Sequence, residues 1–138
     1  MVHVLIDTDV ILDHFFDREP YANFANVVFG LCETGKIRGY VTPVICSNTY
    51  YILRKTAGHG KVIKNLKMLL SITNVLSMDR EVILQAIDSD FRDFEDALQN
   101  FAAAKSGKIN MILTRNLKDY AKSKIAVLTP ESFIKSLA

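Results

Sequence analysis

The chain has 138 residues, of which 49% are hydrophobic, and its 17 lysines and arginines against 15 aspartates and glutamates give a net charge of +2. This length and apolar content indicate a single globular domain over residues 1–138 and exclude an intrinsically disordered chain. The small net charge neither identifies nor excludes a nucleic-acid-binding protein, because the distribution of charge over the surface decides that property.

Short apolar stretches and stretches of helical periodicity alternate along the whole chain. The patterns predict, in chain order, a strand at 3–6, helices at 10–16 and 20–34, a strand at 38–42, helices at 43–57 and 61–72, a strand at 74–77, helices at 79–87 and 93–106, strands at 110–114 and 125–129, and a last helix from 130. Three prolines, Pro20, Pro43 and Pro130, are predicted to lie in first helical turns. Gly35, Gly58 and Gly107 are predicted to end helices.

Strands that are short and continuously apolar, with helices between them, are typical of a parallel sheet covered on both faces. The predicted fold is therefore α/β, a three-layer α/β/α sandwich around a central parallel sheet. Such sheets bind ligands beyond the carboxyl ends of their strands, at the point where the strand order reverses. The residues that follow each strand are therefore the candidates for a functional site.

Oxygen-bearing side chains occur in four separate segments that are predicted to meet at one edge of the sheet. The candidates are Asp7, Thr8 and Asp9 after the first strand, Asn48 on the helix after the second, Asp93 and Asp96 at the start of the long helix, and Thr114, Asn116 and Asp119 after the fourth strand. Local explanations exist for several: Thr8 or Asp9 as a helix cap, Asp93 and Asp96 as a capping box, and Asp119 as a solvated loop residue. Asp7 differs, because an aspartate that closes a buried strand needs a partner.

Carboxylates that converge on one sheet edge repel one another and are reconciled best by a divalent cation. Aspartate oxygens, completed by amides and water, are ligands that suit Mg²⁺ or Mn²⁺. Such a cation lowers the pKa of a bound water and stabilises charge on a phosphoryl group. The pattern therefore favours hydrolysis of a phosphodiester.

Four segments together resemble the PIN domain family, typified by VapC-like toxins. They are VLIDTDVILD, TPVICSNTYYILRK, DFEDALQNFAAAKSGKINMILTRNLKDY and TPESFIKSLA, and they span essentially the whole chain. The resemblance implies an α/β/α sandwich and a Mg²⁺- or Mn²⁺-dependent ribonuclease. It also implies that the chain is the toxin of a toxin–antitoxin pair, a homodimer inhibited by a small antitoxin protein.

The resemblance assigns roles to individual residues. Asp7 and Asp96 correspond to metal ligands, with Asp119 completing the acidic cluster and Asp93 near it. Asn48 and Asn116 occupy positions where the family usually has acids, and Thr114 and Asn116 would position water or a phosphate. Thr8 and Asp9 are supporting residues, and Arg115 is expected to contact RNA.

The two amides remove negative charge from the expected site. We therefore predict weak metal binding, roughly in the millimolar range of low-charge oxygen sites. The same reasoning predicts that Asn48→Glu tightens metal binding. The amides also motivate a rival reading from another class, a catalytically inactive PIN fold that binds RNA or protein.

Two other enzyme classes share part of the pattern. DTDVI resembles the motif of haloacid dehalogenase-like phosphatases, but Ile11 stands where that motif requires Thr or Val. A response-regulator receiver requires a lysine after its last strand, and none follows a strand in that way. Lysines at 55, 61, 64 and 67 fit equally a solvated helix surface and a phosphate-binding surface.

The remaining signals concern the cysteines and the compartment. Cys32 and Cys46 are far apart, with no CxxC and no histidine at ligand spacing, so we expect reduced thiols rather than a zinc site or a disulfide. The sequence has no signal-peptide pattern and no apolar run that could cross a bilayer. We therefore expect a cytoplasmic protein without a membrane partner.

Overall fold

A computed structural model describes residues 1–137, in which helices and strands alternate. The strands are β1 (Val2–Ile6), β2 (Ile37–Val41), β3 (Thr73–Val75), β4 (Met111–Leu113) and β5 (Ala126–Leu128). The helices are α1 (Thr8–Phe15), α2 (Ala22–Glu33), α3 (Pro43–Leu53), α4 (His59–Ile72), α5 (Arg80–Ile87), α6 (Phe94–Ser106) and α7 (Pro130–Ser136), with a short 3₁₀ helix at Leu117–Tyr120.

The strands form one sheet in the order β3-β2-β1-β4-β5, and every neighbouring pair is parallel. The chain builds outward from β1 to β3 and then returns to place β4 on the other side of β1. The strand order therefore reverses between β1 and β4, which is where such sheets bind ligands. The predicted α/β sandwich with a parallel sheet is confirmed.

The core lies on the central strand and the helices that cover it. Val4, Leu5 and Ile6 of β1 are completely buried, as are Ile112 and Leu113 of β4. Each such side chain contributes about 1.5–3 kcal/mol through removal of its surface from water. This packing fixes the ends of β1 and β4, and with them the residues that follow. No helix within residues 1–137 combines the length and the apolar character needed to cross a bilayer.

Several predicted boundaries are wrong. The second helix begins at Ala22, and Pro20 lies in the turn before it. Gly58 does not end α3, which stops at Leu53; it is instead the N-cap of α4. A turn closed by the Thr56 and Ala57 amides, both donating to the Leu53 carbonyl, separates the two helices.

The last three strands are also shorter or shifted. The third strand starts at Thr73 directly after α4 and ends at Val75, so the predicted span 74–77 is displaced. The fourth and fifth strands each span three residues, and the 3₁₀ helix after β4 was not predicted. Pro43 and Pro130 do lie in first helical turns, and Gly35 and Gly107 follow α2 and α6 with φ of 75° and 66°. The predicted end of the last helix at Ala138 lies outside the described residues.

Candidate functional site

A cavity of about 540 Å³ lies at the carboxyl edge of the sheet, beyond the ends of β1 and β4. Nine of the sequence-predicted residues line it: Asp7, Thr8, Asp9, Asn48, Asp93, Asp96, Arg115, Asn116 and Asp119. The tenth, Thr114, is buried beneath it and hydrogen-bonds to Asp7. The fold therefore brings together all the segments that the strand ends singled out, while the roles of the individual residues stay predictions.

Asp7 ends β1 and is the N-cap of α1, so the alternative that Thr8 or Asp9 caps this helix is wrong. Its Oδ1 accepts a hydrogen bond from the Thr8 amide at 2.8 Å. Its Oδ2 accepts from the Thr114 hydroxyl at 3.0 Å and from the Tyr120 hydroxyl at 3.2 Å. The side chain is 7% exposed, and all of these donors are neutral. A buried carboxylate is thus held in place without a compensating positive charge.

Burial and neighbouring carboxylates oppose ionisation of Asp7 and Asp96. Burial, followed by repulsion from Asp9, raises the pKa of Asp7 to about 6 in spite of its hydrogen bonds. Burial also raises the pKa of Asp96 to about 7, with repulsion from Asp7, Asp93 and Asp119 adding to the effect. Asp7 and Asp96, distant in the sequence, line the same cavity, so their charges interact.

Asp9 occupies the first turn of α1 and faces the loop after β4. Its Oδ2 accepts a hydrogen bond from the Arg115 amide at 2.9 Å. Its Oδ1 is buried, and no group within residues 1–137 donates to it. Burial raises the pKa of this carboxyl as well. An unpartnered buried oxygen beside Asp7 is costly, and it provides a free ligand atom.

The N-terminus of α6 presents Asp96 to the cavity. Asp93 is the N-cap of α6, and its Oδ1 accepts a hydrogen bond from the Asp96 amide at 3.0 Å. This half of the predicted capping box is present. In the part of the chain that is described, the Asp96 carboxylate makes no reciprocal bond to Asp93. The Asp96 carboxylate is therefore not committed to the cap of its own helix.

The donor set fits a hard divalent cation. Oxygen atoms dominate it, burial and neighbouring carboxylates raise the pKa values of Asp7 and Asp96, and Asp9 Oδ1 has no partner. A bound cation relieves both the repulsion and the missing partner. Within residues 1–137, however, no three His, Cys, Asp or Glu side chains are grouped closely enough to hold a metal ion by themselves. Amide oxygens, water or a side-chain rotation must complete the coordination.

Comparison with known proteins decides the family. The family model described as "PIN domain" matches residues 3–118. The chain belongs to the PIN domain family. The resemblance seen in the sequence is thereby confirmed.

Relatives of this PIN domain include proteins of known structure. Ribonuclease VapC1 of Aquifex aeolicus (strain VF5) is 27% identical over 135 residues, which cover 94% of this chain and 92% of the relative. A toxin–antitoxin complex from Klebsiella pneumoniae contains a chain that is 20% identical, with a TM-score of 0.67 and coverage of 92% of this chain and 97% of that one. The structure of FitAB bound to a DNA fragment gives 0.69 at 15% identity, covering 92% and 94%. At such identities the two structures establish the fold alone.

The PIN domain also contains a buried ion-pair network that the sequence analysis missed. Asp13 of α1 is 1% exposed, and Arg115 donates to both of its oxygens at 2.7 and 3.0 Å. Arg18 Nε lies 2.9 Å from Asp13 Oδ1, although its N–H is not aligned for a hydrogen bond. The Arg115 guanidinium also stacks on Tyr21, 3.9 Å from the ring centroid. The sequence offered one signal of this network: Asp9 and Asp13 are four residues apart and therefore lie on the same face of α1.

This network bears on the expected role of Arg115. Its guanidinium is committed to Asp13 and Tyr21, while its backbone amide holds Asp9. The residue therefore fixes the loop after β4 against α1. Contact between Arg115 and RNA stays a prediction.

Three further residues at the PIN-domain cavity were not predicted. Tyr120, 1% exposed, donates to Asp7 and also counteracts the raised pKa of Asp96. Glu95 of α6 accepts a hydrogen bond from Asn48 Nδ2 at 2.8 Å. Gln99, buried one turn later, accepts from the Thr42 hydroxyl at the start of α3. The available signal in the sequence was adjacency to a predicted site residue, which holds for Glu95 beside Asp96 and for Tyr120 beside Asp119.

Proposed function

We propose that this PIN domain is a metal-dependent ribonuclease that hydrolyses RNA phosphodiester bonds and is the toxin of a toxin–antitoxin pair. The observation that carries the proposal is the meeting of Asp7 and Asp96 in one cavity, where each has a raised pKa. Carboxyls in this state bind a divalent cation with relief of repulsion. The proposed ion is Mg²⁺ or Mn²⁺.

Asp7 and Asp96 would hold the cation, with Asp119 and Asp93 contributing negative charge and Asn116 a neutral oxygen. Bound there, the cation supplies a water nucleophile at neutral pH and neutralises charge that develops on the phosphoryl oxygens. The protein contributes orientation, since the Thr114 and Tyr120 hydroxyls fix Asp7.

Positive side chains at the same cavity support a polyanionic substrate. Arg18 and Lys55 line it together with the carboxylates. Lys55 is exposed, and its Nζ lies over the Tyr51 ring at 5.1 Å from the centroid. The Lys55 ammonium group and the Tyr51 ring at the rim suit a nucleotide, because the ammonium group can contact its phosphate and the ring can stack on its base.

The partners follow from the relatives. VapC1 is named a ribonuclease, and the structural relative from Klebsiella pneumoniae comes from a toxin–antitoxin complex. We propose a small antitoxin protein as the partner of this chain, a homodimer as its assembly and the cytoplasm as its location. Thr8, Asp9 and Thr114 would act as supporting residues of the site.

A second candidate function is a catalytically inactive PIN fold that binds RNA or protein. Two observations favour it: amides at positions 48 and 116, and the lack of a ready group of three metal-binding side chains within residues 1–137. In that case the cavity would bind its partner without cleaving it.

Cleavage assays separate the two candidates. The purified protein is incubated with a panel of structured RNAs in Mg²⁺ or Mn²⁺, beside Asp7→Asn and Asp96→Asn. Glu33→Gln is the matched control, because Glu33 is exposed on α2 and lies outside the cavity. We expect cleavage by the native protein and the control, and its loss in both aspartate variants and in EDTA. RNA binding without cleavage across the panel would instead support the inactive fold.

A further inference from the structure

Asn48 and Glu95 join two helices at the rim of the cavity. Asn48 Nδ2 on α3 donates to Glu95 Oε2 on α6 at 2.8 Å, and both side chains line the cavity that contains Asp7 and Asp96. This bond engages one of the two carboxylate oxygens of Glu95. The other oxygen, Oε1, makes no side-chain hydrogen bond within residues 1–137.

A second hydrogen bond joins the same two elements in the interior. One turn after Glu95, the buried Gln99 of α6 accepts a hydrogen bond from Thr42, the N-cap residue of α3. Both of these residues are 2% exposed or less. A buried hydrogen bond therefore links the start of α3 to α6, and the Asn48–Glu95 bond is a second link between the two helices at the cavity. Glu95 itself is exposed, and the buried Thr42–Gln99 bond distinguishes this contact from an isolated surface pair.

Asn48 and Glu95 have different roles in this pair. An amide on α3 cannot supply charge, but its N–H₂ group fixes the rotamer of a carboxylate. Glu95 therefore delivers a negative charge to the side of the cavity that α3 forms. A carboxylate at position 48 in addition to Glu95 would lose the hydrogen bond and place two like charges in contact.

We propose that Glu95 supplies the α3-side carboxylate of the cation site and that Asn48 is the positioning residue that holds it. The inference rests on the proposed function, because it assigns a residue to the same cation. It also changes the expectation for Asn48→Glu, whose effect now depends on whether Glu95 is present.

A double-mutant cycle tests the assignment through Mn²⁺ affinity, which is measured by calorimetry and by water-proton relaxation without RNA. The proteins are the native chain, Glu95→Gln, Asn48→Glu and the double variant Asn48→Glu/Glu95→Gln. Asn48→Ala tests positioning, Asp7→Asn tests the site as a whole, and Glu33→Gln is the surface control.

We expect Glu95→Gln to weaken Mn²⁺ binding about tenfold, at the lower end of what loss of a supporting group costs a metal site. Asn48→Glu should restore most of that affinity in the Glu95→Gln background, since the carboxylate has then moved from α6 to α3. In the native chain, Asn48→Glu should give a smaller gain in Mn²⁺ affinity or a loss, because the two carboxylates compete. Asn48→Ala should lose part of the affinity without a change in the unfolding transition of the metal-free protein.

The outcomes separate this inference from the proposed function. If Asp7→Asn abolishes Mn²⁺ binding while Glu95→Gln stays within about twofold of the native protein, a change smaller than loss of a supporting group produces, the role of Glu95 is overturned and the function stands. Equal gains from Asn48→Glu in both backgrounds also overturn it. Native affinity in Asn48→Ala overturns the positioning role. Absence of Mn²⁺ binding by the native protein overturns both proposals.

Discussion

The Thr114 hydroxyl donates a 3.0 Å hydrogen bond to Asp7 Oδ2 and so ties together the carboxyl ends of the adjacent strands β1 and β4. Thr114 is fully buried, and the position of its hydroxyl is set by the strand that precedes it. The bond therefore fixes the position of the Asp7 carboxylate relative to the paired strands β1 and β4.

Thr114→Val removes this donor and leaves Asp7 Oδ2 with Tyr120 as its remaining side-chain donor. We expect the free energy of unfolding at pH 7 to fall by about 1–3 kcal/mol, the cost of a buried acceptor that loses a partner. Thr49→Val is the matched control, because the buried Thr49 hydroxyl has no partner within residues 1–137 and its removal should be neutral or stabilising. Urea unfolding measures both, and equal effects of the two variants would contradict the assigned bond.

The raised pKa of Asp7 predicts how stability depends on pH in the absence of divalent cations. The folded protein holds the Asp7 proton up to a pKa of about 6, whereas an unfolded aspartate loses it at about 3.9. Protonation of Asp7 therefore favours the folded state at low pH, and this contribution is lost as the pH rises between those two values.

Asp7→Asn should consequently be more stable than the native protein at pH 8, by about 1–3 kcal/mol, with the advantage disappearing near pH 4. Urea unfolding at pH 4, 6 and 8 in EDTA measures the difference. Asp79→Asn should change stability in the opposite direction and be less stable than the native protein at pH 8. The reason is that the hydrogen bond from Lys105 lowers the pKa of Asp79 and stabilises the charged form. An Asp7→Asn protein that is less stable at pH 8 than at pH 4, relative to the native chain, would refute the assignment.

Cation binding should displace protons from the carboxyl pair. Asp7 and Asp96 have raised pKa values of about 6 and about 7, so both carry protons for much of the time near pH 6. Mn²⁺ affinity should therefore fall as the pH decreases from 8 to 6, by up to about tenfold per pH unit for each proton released. Calorimetry in buffers of different ionisation enthalpy counts the protons. A pH-independent affinity with no proton release would show that the cation binds elsewhere.

Lys55 and Asp13 should have separable effects on RNA binding and on stability. Lys55→Met should weaken RNA binding and reduce the salt dependence of affinity by about one ion, with the unfolding transition unchanged. Asp13→Asn should lower the free energy of unfolding by about 1–3 kcal/mol, because it removes the charged acceptor of Arg115 and Arg18, which are themselves partly exposed. Salt titrations with fluorescent RNA and urea unfolding distinguish them. If the RNA affinity of Lys55→Met depends on salt as strongly as that of the native protein, Lys55 does not contact the RNA.

The fold and the position of the site were predictable from sequence for a simple physical reason. Apolar runs such as Val4–Ile6 specify buried strands by composition alone, and the residues after parallel strands must meet at one edge. Asp7 could thus be placed at the site without coordinates, whereas Asp96, at the start of a helix that follows another helix, was assigned through the resemblance to the PIN family.

The errors and omissions arise where structure depends on contacts between distant segments. Gly58 suits the end of α3 as well as the start of α4, and the turn closed on Leu53 decides between them. Glu95 gains its significance from Asn48, which a helix pair brings within 2.8 Å of it. Asp13 is an ordinary helical acid until Arg115 reaches it from the loop after β4. Such pairings are set by tertiary packing and leave no local periodicity in the sequence.

The absence of a side chain at Gly39 of β2 permits α2 to pack closely on the sheet. A Cβ at this position would lie 2.6 Å from the Cys32 sulfur and 3.2 Å from Ile6 Cδ1. Cys32 is buried on the last turn of α2, so the helix or the strand must shift to admit the methyl group. We expect Gly39→Ala to lower the free energy of unfolding by about 1–3 kcal/mol, as overpacked cores do.

Two further variants show whether contact with Cys32 causes the loss. Gly30→Ala on α2 is the control, because a Cβ there meets no atom within 4 Å, and it should stabilise the protein by about 0.5–1 kcal/mol through helix propensity. Cys32→Ala should cost less in the Gly39→Ala background than in the native chain, since it removes the sulfur that the new methyl group meets. Urea unfolding of the four proteins of this cycle gives the coupling energy. A value near zero would mean that the clash with Ile6, rather than the thiol, limits the approach of the helix to the sheet.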